Sequence, residues 1–187
     1  MSFGGRANAS ALQTIRKMSE QATRFDQILE LLSRGGVQFI VVGGLAAIAH
    51  GNTRTTYDVD AVYARDGENI QRLAKVLIPI HPYLRGAPPG LPFRWDEKTI
   101  RMGLNFTLTT DLGSLDLLGE VAGAGNFQQL LPHSEELILF GVNCRCATLE
   151  RLIQMKRAAG RPKDLLFLAE LQALLEERRK HDQEGSP

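Results

Sequence analysis

Apolar residues recur at helical spacing through residues 11–34, where Ile15, Met18, Ala22, Phe25, Ile28, Leu29 and Leu32 trace one stripe. That pattern predicts an amphipathic helix, ended by Gly35-Gly36. Val37-Gln-Phe-Ile-Val-Val42 is then a nearly unbroken apolar run, as expected of a strand buried on both faces. Gly43-Gly44 separates it from a short helix over 45–50, closed by Gly51. An extended segment at 57–64 follows, and a helix at 67–78 turns Ile70, Leu73, Ala74 and Leu77 inward. Further extended segments fall at 103–110 and 113–121, with strand-like sequence at 137–146. The chain closes with helices at 149–159 and 162–180, divided by Gly160-Arg161-Pro162, where Gly ends one helix and Pro enters the next.

These elements predict an α/β (α+β) fold, a mixed sheet flanked by helices and closed by a C-terminal helical pair. The 187 residues suit one domain, with a flexible start at 1–10, a core at 11–147, the helical pair at 148–180 and a flexible tail at 181–187. Residues 79–95 hold five of the eight prolines and read as an unusually long loop, in which Arg85, Arg94 and Trp95 are candidates to meet a substrate. Hydrophobic residues at 43% and charged residues at 23% exclude wholesale disorder. A net charge of +1, from 22 basic and 21 acidic residues, gives no global drive toward non-specific nucleic-acid binding. The first residues lack the apolar core of a signal peptide and no apolar run is long enough for a bilayer, so a cytoplasmic location without membrane partners is expected. Cys144 and Cys146 lack further Cys or His at zinc-binding spacing and read as packed, reduced thiols.

The candidate chemistry begins with Asp58 and Asp60. Aspartate is depleted in strands, yet both lie within Tyr57-Asp-Val-Asp-Ala-Val-Tyr63, whose other residues favour extended structure. At i and i+2 they share a face, about 6–7 Å apart along the strand. Two such charges raise one another's pKa unless a cation or hydrogen bonds compensate, and a divalent ion is the simplest compensation. Asp116, isolated between Leu115 and Leu117, needs a partner or a task. Three aspartates on neighbouring strands, with a glycine turn nearby, suit Mg²⁺ (or Mn²⁺) bridging the phosphates of an NTP. Gly43 and Gly44 would let backbone N–H groups approach those phosphates, with the following helix adding a partial positive charge.

Lys156 falls on or beside the inward stripe of its helix, where it either snorkels to water or meets the triphosphate. Arg54 and Lys163 are further phosphate candidates. His50, at the end of the short helix, either caps it or orients the adjacent loop toward a nucleotide.

At Val42-Gly-Gly-Leu-Ala-Ala-Ile-Ala-His-Gly51, Arg54-Thr-Thr-Tyr-Asp-Val-Asp60, Leu115-Asp-Leu-Leu118 and Leu152-Ile-Gln-Met-Lys-Arg-Ala-Ala-Gly-Arg-Pro-Lys-Asp-Leu165 the chain resembles the minimal nucleotidyltransferase superfamily. More narrowly it is similar to the AbiEii-like branch, which includes nucleotidyltransferase toxins of toxin-antitoxin systems. The resemblance implies the nucleotidyltransferase fold and Mg²⁺-dependent transfer of a nucleoside monophosphate from an NTP to a protein or RNA hydroxyl, with a cognate antitoxin as partner. It implies Asp58 and Asp60 as metal ligands, Asp116 as third carboxylate or general base, Gly43 and Gly44 at the phosphates, and Lys156 at the nucleotide. Many members carry Gly-Ser where this chain has Gly43-Gly44, so one hydroxyl contact is missing. A catalytically silent nucleotide-binding or regulatory protein of the same fold is the alternative.

Overall fold

The computed structural model describes residues 22–88, 90–160 and 164–184. Helix α1 (Phe25–Arg34) buries Ile28, Leu29 and Leu32 and ends where the Gly35 N–H donates to the Leu31 carbonyl. The expected helix over 11–34 is therefore corrected at its start. Residues 22–24 are not helical, and 11–21 lie outside the described residues. The reason is tertiary: the Thr23 hydroxyl donates to the Tyr57 carbonyl and accepts from the Ser114 N–H, while the Arg24 N–H donates to the Leu112 carbonyl. Backbone groups committed to these distant partners leave the helical ladder, whatever the apolar spacing.

Strand β1 (Phe39–Val42) is buried throughout and leads directly into α2 (Gly43–Ala49). Strand β2 (Asp58–Tyr63) and helix α3 (Gly67–Leu77) follow, the latter capped by the Asp66 carboxylate accepting from the Asn69 N–H. Asn69 is itself fully buried and fully used: its Oδ1 accepts from the Gln38 N–H at 2.6 Å, and its Nδ2 donates to the carbonyls of Gln38 at 3.0 Å and Ala64 at 2.8 Å. One amide thereby ties α3 to the chain beside β1 and β2.

The long proline-rich segment is more structured than its composition suggests. It holds a 3₁₀ turn (Ile78–Ile80) and the short edge strand β3 (Tyr83–Leu84), and it is followed by α4 (Glu97–Met102). Asp96 caps α4 by accepting from the Thr99 N–H at 2.8 Å. Trp95 is buried edge-on against Phe106, ring centroids 5.3 Å apart, which corrects its reading as a substrate contact. Arg94 stays exposed beside Asp96.

Strand β4 (Asn105–Thr110) and β5 (Gly113–Leu118) form a hairpin. The segment expected to run to 121 breaks at Gly119, whose N–H turns to Leu104 O and Asn105 Oδ1, both at 2.9 Å. Beyond it, β6 (Glu120–Val121) pairs with β7 (Gly125–Asn126) in a separate ribbon that leads into the short helix α5 (Phe127–Leu130). The strand-like sequence near 137–146 is two strands, β8 (Ser134–Leu139) and β9 (Val142–Ala147). A two-residue turn joins them, with φ of 50° at Phe140 and 81° at Gly141.

The seven-stranded sheet has the order β3-β4-β5-β2-β1-β9-β8 and is mixed, with β2–β5 and β1–β9 parallel and the other pairs antiparallel. This is the expected sheet flanked by helices. The C-terminal pair, α6 (Leu149–Ala159) and α7 (Asp164–Glu184), packs together, and α7 runs past the anticipated end at 180. On the face that carries the β2 aspartates, α2 packs on β1 and β2 and reaches β8 and β9, α6 packs on α2, and α6 and α7 line a cleft with Leu118 of β5. On β4 the same face is open: Asn105, Thr107 and Thr109 are exposed, whereas Phe106, Leu108 and Thr110 point into the core.

Candidate active site

Two parallel strands in register bring the carboxylates together. Asp58 and Asp60 alternate on β2, and Asp60 lies directly opposite Asp116 on β5. One carboxylate oxygen from each of the three residues lies within 4.8 Å of the other two. Burial first, and then the charges of Asp58 and Asp116, push the Asp60 carboxyl up to about 7, against opposing pulls from Lys156 and Arg85. Asp116 is raised as well, chiefly by burial, although the Arg85 guanidinium pulls it down.

Gly43 is fixed by two independent constraints. Its φ is +66°, and a Cβ there would stand 2.0 Å from Asp60 Oδ2, so the carboxylate occupies the space a side chain would need. At Gly44 a Cβ would lie 2.7 Å from Thr56 Oγ1 and 2.9 Å from Thr56 Cβ. The Thr56 hydroxyl in turn donates to Asp58 Oδ1 at 3.3 Å. The volume that a serine at position 44 would claim is thus already filled by a hydroxyl-bearing side chain, a residue the sequence reading passed over. Its signal was proximity alone, two positions before Asp58.

Beside Asp60 and Gly43 opens a cleft of about 140 Å³ with mainly apolar walls, including Leu118 from the sheet, Met155 from α6 and Phe167 from α7, and Lys156 of α6 also lines it. Lys156 is half-buried, with its ammonium 4.8 Å from the centre of the Phe167 ring. Arg54 stacks on the same ring at 5.2 Å and pairs with Glu170 at 3.0 Å, so it is held toward α7 rather than against the carboxylates. Lys163 lies outside the described residues.

His50 belongs to the framework. Its Nε2 meets the Ala147 carbonyl at 2.8 Å, and its Nδ1 faces Arg178 at 3.3 Å, which joins the end of α2 to β9 and α7. Cys144 and Cys146 are free and buried, and burial pushes the Cys146 thiol up to about 12. Neither is a reactive thiolate at neutral pH.

Arg85 enters the cluster from just beyond β3. Its Nη2 donates to Asp116 Oδ1 at 2.6 Å, and its Nη1 stands 3.8 Å from Asp58 Oδ2. The sequence marked this residue only as a substrate contact from a loop.

Three converging carboxylates, offering oxygen donors alone, fit a hard divalent cation that retains waters. Asp58, Asp60 and Asp116 could hold one.

No protein-family model matches the chain, and no curated protein matches it in sequence. Solved structures do match in fold. The lincosamide antibiotic adenylyltransferase LnuA in its lincomycin-bound form superposes with a TM-score of 0.54 at 15% identity, over 82% of this chain and 99% of that one. ANT(2″)-Ia in complex with adenylyl-2″-tobramycin gives 0.50 at 16% identity, over 85% and 95%. An antigenic nucleotidyltransferase-like protein from Paracoccidioides brasiliensis gives 0.52 at 15%, over 84% and 76%. The chain therefore has the nucleotidyltransferase fold, with an acidic triad on its central strands. Among the described residues no helix is long and apolar enough to cross a membrane.

Proposed function

We propose that the protein is a metal-dependent nucleotidyltransferase that moves a nucleoside monophosphate from an NTP to an acceptor hydroxyl and releases pyrophosphate. The observation that carries this reading is the convergence of Asp58, Asp60 and Asp116 within 4.8 Å, on the lip of a cleft that also holds Lys156. Asp58, Asp60 and Asp116 would hold a divalent cation such as Mg²⁺, which when bound would supply positive charge to offset that of the phosphates. Lys156 turns a compact positive charge toward a triphosphate in the cleft, where water is partly excluded. Gly43 and Gly44 stand where the resemblance puts the phosphates, and the missing side chain at Gly43 makes room for the Asp60 carboxylate against the backbone. The acceptor oxygen bonds to the α-phosphorus as the bond to the bridging oxygen of the pyrophosphate breaks. The hydroxyl proton passes to a carboxylate, and Asp116 is the triad member next to the open face of β4.

A protein or RNA acceptor, with the toxin role and cognate antitoxin implied by the AbiEii-like resemblance, is the first form of this reading. The lincomycin and adenylyl-tobramycin bound by structural relatives favour a small-molecule hydroxyl as the second. Incubation with Mg²⁺ and each α-labelled NTP, against cell protein, RNA and hydroxylated small molecules in turn, separates them. Label is expected in one acceptor class with the intact chain and in none with Asp58→Ala/Asp60→Ala. Transfer that survives the double substitution overturns the assignment, and nucleotide binding without transfer by the intact chain supports the silent alternative.

A further inference from the structure

Arg85 extends the β3–β4 pairing by one residue, its N–H donating to the Thr107 carbonyl at 2.9 Å. Thr107 is opposite Asp116, and Asp116 is opposite Asp60, so Arg85 stands in the same lateral row as the carboxylates and on their face. From there its guanidinium divides its donors. Nε and Nη2 bind the Leu108 carbonyl at 3.3 and 3.0 Å, whereas the charge-assisted contact goes to Asp116 Oδ1 at 2.6 Å and the weaker approach, 3.8 Å, to Asp58.

We propose that Arg85 is a displaceable counter-ion of the carboxylate triad: its guanidinium engages Asp116 and Asp58 until a divalent cation arrives, and arginine and metal compete for the same carboxylates. The inference rests on the metal-dependent reading of the site. An arginine cannot shed its charge, so a cation entering the triad meets a fixed positive group that already engages one of its carboxylates. Repulsion and the lost hydrogen bond both weaken binding of metal alone. The Leu108 carbonyl keeps the arm anchored when Asp116 lets go. An incoming triphosphate gives the released guanidinium a new anionic partner, so metal and NTP bind cooperatively, each raising the affinity for the other.

The test is Mn²⁺ binding to the full chain, read by the loss of free-ion EPR signal, with and without a non-hydrolysable NTP analogue. Arg85→Gln is expected to bind Mn²⁺ alone on the order of tenfold more tightly than the wild type. The same substitution should shrink the affinity gain brought by the analogue. Arg85→Lys keeps the charge but not the fork and should bind severalfold more tightly than the wild type, which preserves the test if the glutamine variant does not fold. Unchanged or weaker Mn²⁺ binding in both variants, with binding still abolished by Asp60→Asn, overturns the inference and leaves the site reading intact, with Arg85 merely holding Asp116 in place. Mn²⁺ binding that is indifferent to Asp60→Asn in every background removes the metal reading and the inference together.

Discussion

Residue 43 shows how little freedom the site leaves. Gly43→Ala would have to adopt φ near +66° and place a methyl group 2.0 Å from Asp60 Oδ2, so the carboxylate must move. Turnover is expected to fall by about 100-fold, as displacements of about 1 Å at a reacting centre do, measured as initial rates at saturating NTP. Residue 44 behaves differently, because its φ is not left-handed and its obstacle is Thr56 rather than a carboxylate of the triad. Gly44→Ser is expected to cost about 1–3 kcal/mol in urea unfolding through overpacking against Thr56, and Thr56→Gly in the same chain should recover most of that loss. Asp60 sets a pH dependence. Its carboxyl sits at about 7 in the fold and about 3.9 in an unfolded chain, so between those values the folded state holds the extra proton. The corresponding stability is complete below about pH 4 and is lost as pH rises through about 7. In EDTA the melting temperature should therefore drop across this window, by on the order of 5 °C, and Asp60→Asn should flatten that component.

At the scale of elements, the amide of Asn69 joins α3 to the segments flanking the central strands, with no solvent to replace it. Asn69→Ala leaves the Gln38 N–H and the Gln38 and Ala64 carbonyls without this partner and should cost about 3 kcal/mol by denaturant unfolding, with turnover at low temperature little changed. What the sequence could and could not reveal divides along the same line. Strands β1, β2, β4 and β5 were legible because burial writes a period of two or an apolar run into the chain, and the shared face of Asp58 and Asp60 follows from that period. Helix α4 spans six residues, too few for a helical period to emerge, and it was not read from the sequence. Contacts between distant segments leave no such trace. Thr23 with Tyr57, Thr56 against Gly44, and Arg85 on Asp116 each join segments whose spacing carries no periodic signal, which is why α1 was drawn too long and the pairing of Arg85 with the triad was not foreseen.

Over the whole molecule, α2, α6 and α7 roof one part of the carboxylate face, whereas Asn105, Thr107 and Thr109 of β4 are exposed on it, so among the described residues the sheet has a roofed part and a bare part. If the roofed part takes the nucleotide, the bare part is where an acceptor approaches. Thr107→Trp, at an exposed position opposite Asp116, should raise the acceptor KM about tenfold or more through steric exclusion while leaving the NTP dissociation constant unchanged. Equal losses in both constants would instead mean that the two substrates share the cleft. The edge that carries Arg85 also contains its own reporter. Trp95 is the only tryptophan in the sequence; it is buried on Phe106 of β4, and its indole N–H has no hydrogen-bond partner among the described residues. Its fluorescence therefore originates at one place, an apolar wedge behind the strand edge. Emission should start blue, shift red only when that wedge opens to water, and respond to Mg²⁺ and NTP if the edge shifts as the arginine arm lets go, so that ligand loading can be followed by light with no label attached.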